Sequence, residues 1–410
     1  MIEANSRRIE KNLRELALYN ATPGQGLTRL SYTKEYRGAA DYLRKEMEAV
    51  GMAVCTDAIG NLTGRIEGSV PGLPALAVGS HLDSVRHGGI YDGNTGIVCG
   101  LELARMLKAG KKPLQHPFEV IAIVEEEGNT FGSGIMGGKA ISGMLEPSLL
   151  DSLKNEEGRT VRQAMEDFGL RPEYLDTVRR TKYEWAAFIE PHIEQGPVLE
   201  SEQLSVGVVD TIVGIRTKEI EIVGRSDHGG TTPMHLRKDA VTAMAEVVCM
   251  TSRTVRNLED GTVFTCGSIE AKPGAANVVP GKVTFTLECR SRNQESIALV
   301  FGQVAAALES LAGRGFGISE KSLMELAPTH LSKKVVEALK RGMAACGLPV
   351  RVLPSGAGHD SMCIAKITET GMVFVPSRDG RSHCPEEFTE STDIATACDV
   401  IFAALRELDE

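Results

Sequence analysis

The sequence predicts an α/β fold in which helices flank a central mixed sheet and a smaller α+β domain is inserted. Short apolar runs at 74–79 and 118–124 each end in polar residues, as buried strands do. They alternate with a loop and a helix, which is the rhythm of an α/β layer fold. The pattern changes after residue 205, and a length of 410 residues also favours two domains over one.

The first half of the chain alternates between helical and strand-like periodicity. Apolar residues recur at helical spacing in two segments near the N-terminus, and Gly51 supplies a stop for the second. In chain order, the predicted elements are helices at 6–20 and 33–50, a strand pair at 52–66, a strand at 74–79, a Gly-rich loop at 88–96, a helix at 97–109 and a strand at 118–124.

The segment 207–326 has the pattern of a small α+β sandwich, and we assign it as a lid domain. Residues 1–206 and 327–410 then form one discontinuous catalytic domain. The predicted lid elements are a β region at 208–223, a helix at 237–256, strands at 262–270 and 282–290, and a helix at 294–312. Beyond the lid, a strand at 374–375 and a closing helix at 391–408 are predicted.

Composition and charge exclude some classes of function. The net charge of -10 argues against nucleic acid as the main partner, because phosphate binding requires clustered Lys and Arg. The nine Cys form no C-x-x-C pair, which is typical of a reducing cytosol. The N-terminus lacks the apolar core of a signal peptide, and no run approaches the roughly 18 apolar residues of a membrane span. We therefore expect a cytoplasmic protein with no membrane partner.

Polar segments rich in Gly and Pro carry the candidate chemistry. Both charged clusters of the first half follow predicted strands, where α/β sheets place their sites. His81 follows one strand and has Asp83 nearby, which could orient its imidazole. Asp92 lies between glycines in GGIYDGNTG, and its two oxygens could bridge two metal ions. Taken singly, each of these residues also fits an ordinary surface pair or turn.

The acidic run 125–127 follows the strand at 118–124. Three adjacent carboxylates repel one another unless a cation neutralises them, so we expect one metal ligand and one general base. His192 and His383 complete a set of three imidazoles and two carboxylates. Such a set suits Zn²⁺, with Mn²⁺ as an alternative.

The ordered segments together resemble the N-carbamoyl-amino-acid hydrolase and allantoate amidohydrolase family, within the aminoacylase and carboxypeptidase clan of dinuclear metallohydrolases. HIEQGP with GTTPM points to the carbamoyl-cleaving branch. The segments, which span nearly the whole chain, are GSHLDS, GGIYDGNTGIVCGLE, EEEGNTFGSGIMGGKAI, HIEQGPVLE, DHGGTTPMHLRKDA, NVVPGKVTFTLECR, SGAGHDSM and GRSHCPEEFT.

The resemblance implies a zinc-exopeptidase-like catalytic domain with two divalent ions per subunit. Zn²⁺ is the first choice, with Mn²⁺, Co²⁺ and Ni²⁺ as alternatives. His81, Asp92 and His192 would hold one ion. Asp92, Glu127 and His383 would hold the other, with Asp92 shared between them.

The resemblance also implies the remaining site residues. Glu126 would be the general base, and Asp83 would orient His81. His228 would stabilise an oxyanion, often from the partner subunit, so a homodimer formed through the lid is expected. Arg290 suits a substrate carboxylate because its guanidinium is a bidentate fork. The expected substrate-binding residues are Gln195, Asn277, Arg290, Gly358 and His359.

The implied reaction is hydrolysis of an N-carbamoyl-L-amino acid to ammonia, carbon dioxide and the amino acid. An allantoate amidohydrolase, an N-acyl-amino-acid amidase or an exopeptidase is the alternative within the clan, and a binding protein without turnover is the alternative outside it. Two departures from the family pattern stand out. Cys384 replaces an expected Asn after His383, and Asn129-Thr130 stands where an Arg commonly precedes Phe131.

Overall fold

The computed structural model describes residues 3–110 and 112–410. The chain divides into two structural units, each with its own sheet. The first unit comprises Met1–Asp210 and Leu331–Glu410, and the second comprises Thr211–His330.

The strands of the described residues are named here in chain order. They are β1 (Ala53–Thr56), β2 (Leu62–Ile66), β3 (Ala75–His81), β4 (Phe118–Ile123), β5 (Trp185–Ile193), β6 (Gly207–Ile212), β7 (Gly214–Val223), β8 (Asp227–His228), β9 (Val263–Thr265), β10 (Ile269–Lys272), β11 (Val278–Val279), β12 (Lys282–Ser291), β13 (Gly317–Leu326), β14 (Thr329–His330), β15 (Val352–Ser355) and β16 (Glu369–Val375).

The α-helices are named in the same way, and short 3-10 helices occur at Pro172–Val178, Met234–Leu236 and Arg378–Gly380. The α-helices are α1 (Ser6–Leu16), α2 (Lys34–Val50), α3 (Asn94–Ala109), α4 (Met136–Ile141), α5 (Leu149–Ser152), α6 (Val161–Asp167), α7 (Val198–Ser201), α8 (Ala240–Leu258), α9 (Gln294–Gly313), α10 (Lys333–Ala345), α11 (Ser361–Ile364) and α12 (Ser391–Leu408).

The first unit is built on a mixed sheet with the strand order β1-β2-β4-β3-β5-β16-β6, and β15 also pairs with β6. The central strands β4, β3, β5 and β16 are parallel, whereas β2 and β6 join them antiparallel. Every residue of β3 and β4 is buried, as expected of parallel strands covered on both faces. The predicted α/β fold with a central mixed sheet is therefore confirmed.

The parallel registers bring the carboxyl ends of four strands to one edge of this sheet. His81 at the end of β3 pairs with Ile123 at the end of β4. Ile193 at the end of β5 pairs with Val375 at the end of β16. The strand ends and the loops that leave them therefore lie side by side, and together they carry the candidate ligands.

Local capping signals explain why the predicted bounds of the helix at 33–50 agree with those of α2 to within one residue. The Thr33 side chain accepts a hydrogen bond from the Tyr36 backbone N–H, which caps the first turn. Gly51 ends the helix in the left-handed conformation, with φ 86°. The helix predicted at 6–20 ends earlier, at Leu16, with Ala17 as its C-cap.

The second unit contains a five-stranded antiparallel sheet in the order β10-β12-β7-β13, with β9 paired to β12. Burial alternates along β12, so one face of the sheet packs into a core with α8 and α9. The segment 208–223, predicted as one β region, is two strands that belong to different sheets. The predicted strand at 262–270 likewise splits, into β9 and the start of β10.

The prediction that no segment reaches the length of a membrane span needs correction at α9. This helix is long and apolar enough for a membrane span by length and composition alone. Its buried residues, among them Val300, Val304 and Leu308, lie in the core of the second unit. A single such helix is weak grounds for a membrane span, because the core helix of a soluble protein meets the same criterion.

Candidate metal centre

The structure brings the five predicted metal ligands together at the carboxyl edge of the large sheet. Possible ligand atoms lie within 4.8 Å of one another in three overlapping groups of the described residues. The groups are His81 with Asp92 and His192, Asp92 with Glu127 and His383, and His81 with Glu126 and Glu127.

Asp92 lies at the centre of this cluster and is almost fully buried. Its Oδ1 is 3.1 Å from His81 Nε2 and 3.2 Å from His192 Nε2. Its Oδ2 is 3.5 Å from His383 Nε2. The two carboxylate oxygens therefore face different imidazoles, which is the arrangement that a bridging ligand requires.

The two buried imidazoles have a fixed tautomer. His81 Nδ1 is 3.0 Å from the backbone carbonyl of Asp83, and His192 Nδ1 is 2.8 Å from the carbonyl of Ile193. Since a carbonyl can only accept, each neutral ring carries its proton on Nδ1. In that neutral form, each Nε2 would present its lone pair to a metal ion in the cluster.

Asp83 is expected from the sequence to orient His81 through its carboxylate, but its backbone carbonyl contacts the ring. Its carboxylate is 4.0 Å from His81 Nδ1, beyond hydrogen-bond distance, and its backbone carbonyl makes the contact instead. The carboxylate accepts the backbone N–H groups of Glu126 and Glu127, each at 3.1 Å. Asp83 thus fixes the acidic loop as well as the imidazole.

The three acids of the run 125–127 separate into two roles. Glu125 has a left-handed backbone, with φ 53°, and its Oε1 accepts the N–H groups of Thr130 and Phe131 at 3.1 Å. Glu125 therefore closes its own loop. Glu127 Oε1 instead lies 3.6 Å from His383 Nε2, and Glu126 groups with Glu127 and His81.

Burial and nearby carboxylates disfavour the charged forms of Glu126 and Glu127. Burial and the charge of Asp92 raise the pKa of Glu127 to about 7. Burial, and repulsion by Glu127, raise the pKa of Glu126 well above its ordinary range. A divalent cation would relieve this repulsion.

The residues present fit such a cation. Glu127 Oε1 is buried and has no hydrogen-bond partner among the described residues, as a vacant ligand atom would be. The donor set of imidazole nitrogens and carboxylate oxygens is the one that Zn²⁺ and similar borderline ions take in catalytic sites.

Two residues that the sequence did not single out hold the Asp92 loop. Glu387 Oε1 accepts the backbone N–H groups of Tyr91 and Asp92, at 2.9 and 3.0 Å. The Ser382 hydroxyl lies 2.8 Å from both Asp92 Oδ2 and Glu387 Oε2. Gly89 permits this approach, because a Cβ there would lie 2.1 Å from Glu387 Oε1. The only sequence signal was that both residues flank His383 in the segment RSHCPEE.

The glycine after Asp92 is required by geometry. Gly93 has φ 63°, a left-handed conformation that favours glycine, and a Cβ there would lie 2.5 Å from the His81 ring. The motif GGIYDGNTG therefore provides close packing between the two ligand loops.

Three of the predicted substrate-binding residues belong to the first unit. Gln195 Nε2 donates to Asp92 Oδ2 at 2.7 Å and lies 3.3 Å from His383 Nε2, so it contacts two candidate ligands. His359 is buried, with its ring centroid 4.6 Å from that of His192. Its Nε2 is 2.8 Å from Ser355 Oγ, and the half-buried Gly358 precedes it. His359 therefore packs against His192.

The other predicted residues belong to the second unit, where His228 and Asn277 lie close together. The Asn277 carbonyl accepts the Gly229 N–H at 2.7 Å. His228 Nδ1 accepts the N–H groups of Gly230 and Thr231, at 3.0 and 3.1 Å. The neutral, exposed ring therefore carries its proton on Nε2, where it is available for donation.

Arg290 lies on β12, which pairs with β7, whereas His228 lies on β8, which pairs with β11. Its Nε donates to Glu288 Oε1 at 2.7 Å, and its side chain is about one-third exposed, at 35%. This ion pair occupies part of the guanidinium fork that the sequence suggested for a substrate carboxylate.

The chain is similar to known proteins over nearly its whole length. Residues 77–407 match the profile of the peptidase family M20/M25/M40. A relative named N-carbamoyl-L-amino-acid amidohydrolase, from Paenarthrobacter aurescens, is 47% identical over 408 residues, which is 99% of each chain. An allantoate amidohydrolase from Escherichia coli (strain K12) is 34% identical, covering 100% of this chain and 99% of the relative. The crystal structure of an amidase of the hydantoinase/carbamoylase family, from Burkholderia multivorans, superposes with TM-score 0.93 at 30% identity, covering 99% of this chain and 98% of that one.

Proposed function

This chain belongs to the peptidase family M20/M25/M40, and we propose that it is an amidohydrolase that cleaves the ureido C–N bond of an N-carbamoyl-L-amino acid. The products would be ammonia, carbon dioxide and the free amino acid. The observation that carries the proposal is the cluster around Asp92, whose two oxygens face separate groups of imidazoles. The 47% identity with the relative of that name supports the choice of substrate.

We assign two divalent ions to this cluster. His81, Asp92 and His192 would hold one, and Asp92, Glu127 and His383 would hold the other. When bound, the ions would polarise the substrate carbonyl and make a water molecule acidic enough to lose a proton near neutral pH. Zn²⁺ is proposed first, with Mn²⁺, Co²⁺ and Ni²⁺ as alternatives.

Glu126 is the proposed general base of the reaction. Asp83 holds its backbone, and its carboxylate groups with His81 and Glu127 in a buried setting. From this position its carboxylate would take the proton of the attacking water. The same carboxyl group would return that proton to the leaving nitrogen.

The proposed catalytic residue His228 and the proposed substrate-binding residues carry matching polar groups. His228 has its proton on Nε2, as an imidazole that stabilises an oxyanion requires. Gln195 already donates to Asp92 and would turn its free amide oxygen to the ureido group. Asn277, Arg290, Gly358 and His359 complete the proposed set.

A substrate panel tests the proposal. Purified protein, loaded in turn with Zn²⁺, Mn²⁺, Co²⁺ and Ni²⁺, is assayed for ammonia release from N-carbamoyl-L-amino acids and allantoate. Dipeptides and N-acetyl-amino acids are assayed for cleavage alongside. Fastest turnover of an N-carbamoyl-L-amino acid is expected. Faster turnover of allantoate would assign the chain to the activity named for the relative at 34% identity. No turnover and no bound metal would point to a binding protein.

We also propose a cytoplasmic homodimer formed through the second unit. Its sheet ends at β13, which pairs with β7 on one side. Leu323, Met324 and Leu326 of this strand are exposed. An apolar edge strand is a natural template for pairing with a second copy. A sedimentation mass of one chain at micromolar concentration would contradict the dimer.

A further inference from the structure

A fully buried arginine lies behind the proposed metal centre. Arg29 has no solvent-exposed surface, and it lies outside every segment that suggested a ligand. Burial lowers its pKa to about 10, so the guanidinium still carries its positive charge at neutral pH. A buried cation is costly unless its donors are satisfied, so its contacts indicate what it stabilises.

The guanidinium of Arg29 joins the two loops that carry His81 and Asp92. Its Nε donates to the carbonyl of Leu82, the residue between His81 and Asp83, at 2.8 Å. Its Nη2 donates to Asn94 Oδ1, two residues after Asp92. The Asn94 amide in turn donates to the carbonyl of Ile90, at 3.1 Å, which closes the Asp92 loop.

Two further contacts fix Arg29 itself. Its Nη1 donates to the carbonyl of Leu16 at the end of α1, at 2.8 Å. Its backbone N–H donates to Ser84 Oγ at 3.0 Å, and its carbonyl accepts the Ser84 N–H at 3.1 Å. The planar guanidinium therefore contacts both the His81 loop and the Asp92 loop, while α1 and Ser84 hold Arg29 in place. Its three side-chain acceptors named here, two backbone carbonyls and the Asn94 amide oxygen, are uncharged.

We infer that Arg29, acting through Leu82 and Asn94, is a positioning residue that sets the separation of the His81 and Asp92 ligand atoms. This inference rests on the proposed metal centre. Residues that orient ligands from behind affect metal affinity by on the order of 10- to 100-fold when they are changed. The effect belongs to the ligand geometry, so it is measurable without substrate.

The test is a Co²⁺ titration of the whole apo-protein, followed by visible absorption and by competition with a chelator. Arg29→Met should weaken Co²⁺ binding by about 10- to 100-fold and alter the Co²⁺ spectrum. Asn94→Leu, which cuts the link to the Asp92 loop together with the Asn94–Ile90 hydrogen bond, should act in the same direction. Because both residues lie on one connection, the double variant should bind about as weakly as Arg29→Met alone.

Arg29→Lys guards against misfolding, because it keeps the buried charge but cannot reach three acceptors, and it should also weaken Co²⁺ binding. Arg105→Lys is the matched control. Arg105 is a largely buried arginine, 17% exposed, that donates to Asn12 and Glu46, and its variant should bind Co²⁺ like the wild type.

Wild-type affinity and spectrum in folded Arg29→Lys and Asn94→Leu would overturn the inference while leaving the proposed function intact. Failure of the wild-type protein to bind Co²⁺ or Zn²⁺ would overturn the proposed function instead. An equal loss of affinity in Arg105→Lys would show that losing any buried arginine weakens Co²⁺ binding through lower stability. That result would refute a specific positioning role for Arg29.

Discussion

The two larger sheets of this protein use polar residues in opposite ways. In β3 of the large sheet all seven residues are buried, and the chemistry begins only at its last residue, His81. In β12 of the small sheet buried and half-buried residues alternate along ten positions. Strands covered on both faces place few polar groups between their ends, and those need buried hydrogen-bond partners, whereas a one-faced sheet distributes polar groups along its length.

This contrast separates function from stability. The carboxyl edge of the large sheet concentrates the imidazoles and acids of the candidate metal centre, and several of them pay a desolvation cost there. The small sheet and its two helices form an apolar core, and the polar face of β12 contains ordinary ion pairs such as Lys282–Glu221. We therefore expect strand-end variants to lose metal and turnover, and core variants of the small sheet to lose stability.

The largest effect is expected from Asp92→Ala. This change removes the carboxylate that both imidazole groups face, so turnover should fall to background and metal content should drop from two ions to one or none. Metal analysis by mass spectrometry and the ammonia assay measure both. Asp151→Ala, at an exposed ion pair with Arg162, is the control. Retention of two ions by Asp92→Ala would remove its bridging role.

Glu126→Gln should separate catalysis from metal binding. The amide cannot take a proton, so kcat should fall by about 10²- to 10⁴-fold while metal content stays unchanged. Steady-state kinetics at saturating substrate, together with metal analysis, provides the measurement. Normal turnover with normal metal content would show that another group is the base.

Phe285→Ala tests the small sheet. Phe285 is 1% exposed in the core of the second unit, so its loss should reduce the free energy of unfolding by about 3–5 kcal/mol. Denaturant unfolding followed by circular dichroism measures this change. Thr284→Ala, the adjacent position on the opposite face of β12, should change it by less than about 1 kcal/mol. Equal effects at both positions would contradict a one-faced sheet.

The smallest effect is expected at the surface of the second unit. Arg314 and Glu246 form an ion pair with side chains 50% and 48% exposed. Solvent screens such pairs, so Arg314→Ala should reduce the free energy of unfolding by less than about 1 kcal/mol. The loss should shrink further in high salt. A larger loss would show that surface ion pairs contribute substantially to the stability of this unit.

Elements with strong local signals were predictable from the sequence. The strand at 118–124 is β4, and the helix at 33–50 is α2, because an apolar run and a capping residue act locally. The strand β5 was not predicted, since Glu190 and Pro191 interrupt its apolar run. Glu190 is buried there because Ser80 and Ser361, both distant in the chain, donate to its carboxylate.

The residues of the candidate site divide in the same way, into those with a local sequence signal and those defined by contacts that only the fold creates. Residues whose chemical type and segment were informative, such as His81 and Glu127, could be proposed from the sequence and now lie in one cluster. Glu387 and Arg29 could not, because their roles depend on backbone groups that only the fold brings near them. Glu125 was indistinguishable from its neighbours until its left-handed backbone turned it toward its own loop.

The ligands of the cluster lie at the ends of strands or in the loops that follow them, and these strands are spread along the chain between His81 and His383. A bound ion would therefore act as a cross-link between segments that the unfolded chain holds far apart. Because the ion binds the native arrangement alone, metal loading would raise the melting temperature in proportion to the logarithm of free metal concentration. The same ions that serve the reaction would thus protect the protein from unfolding and from proteolysis in a metal-replete cell.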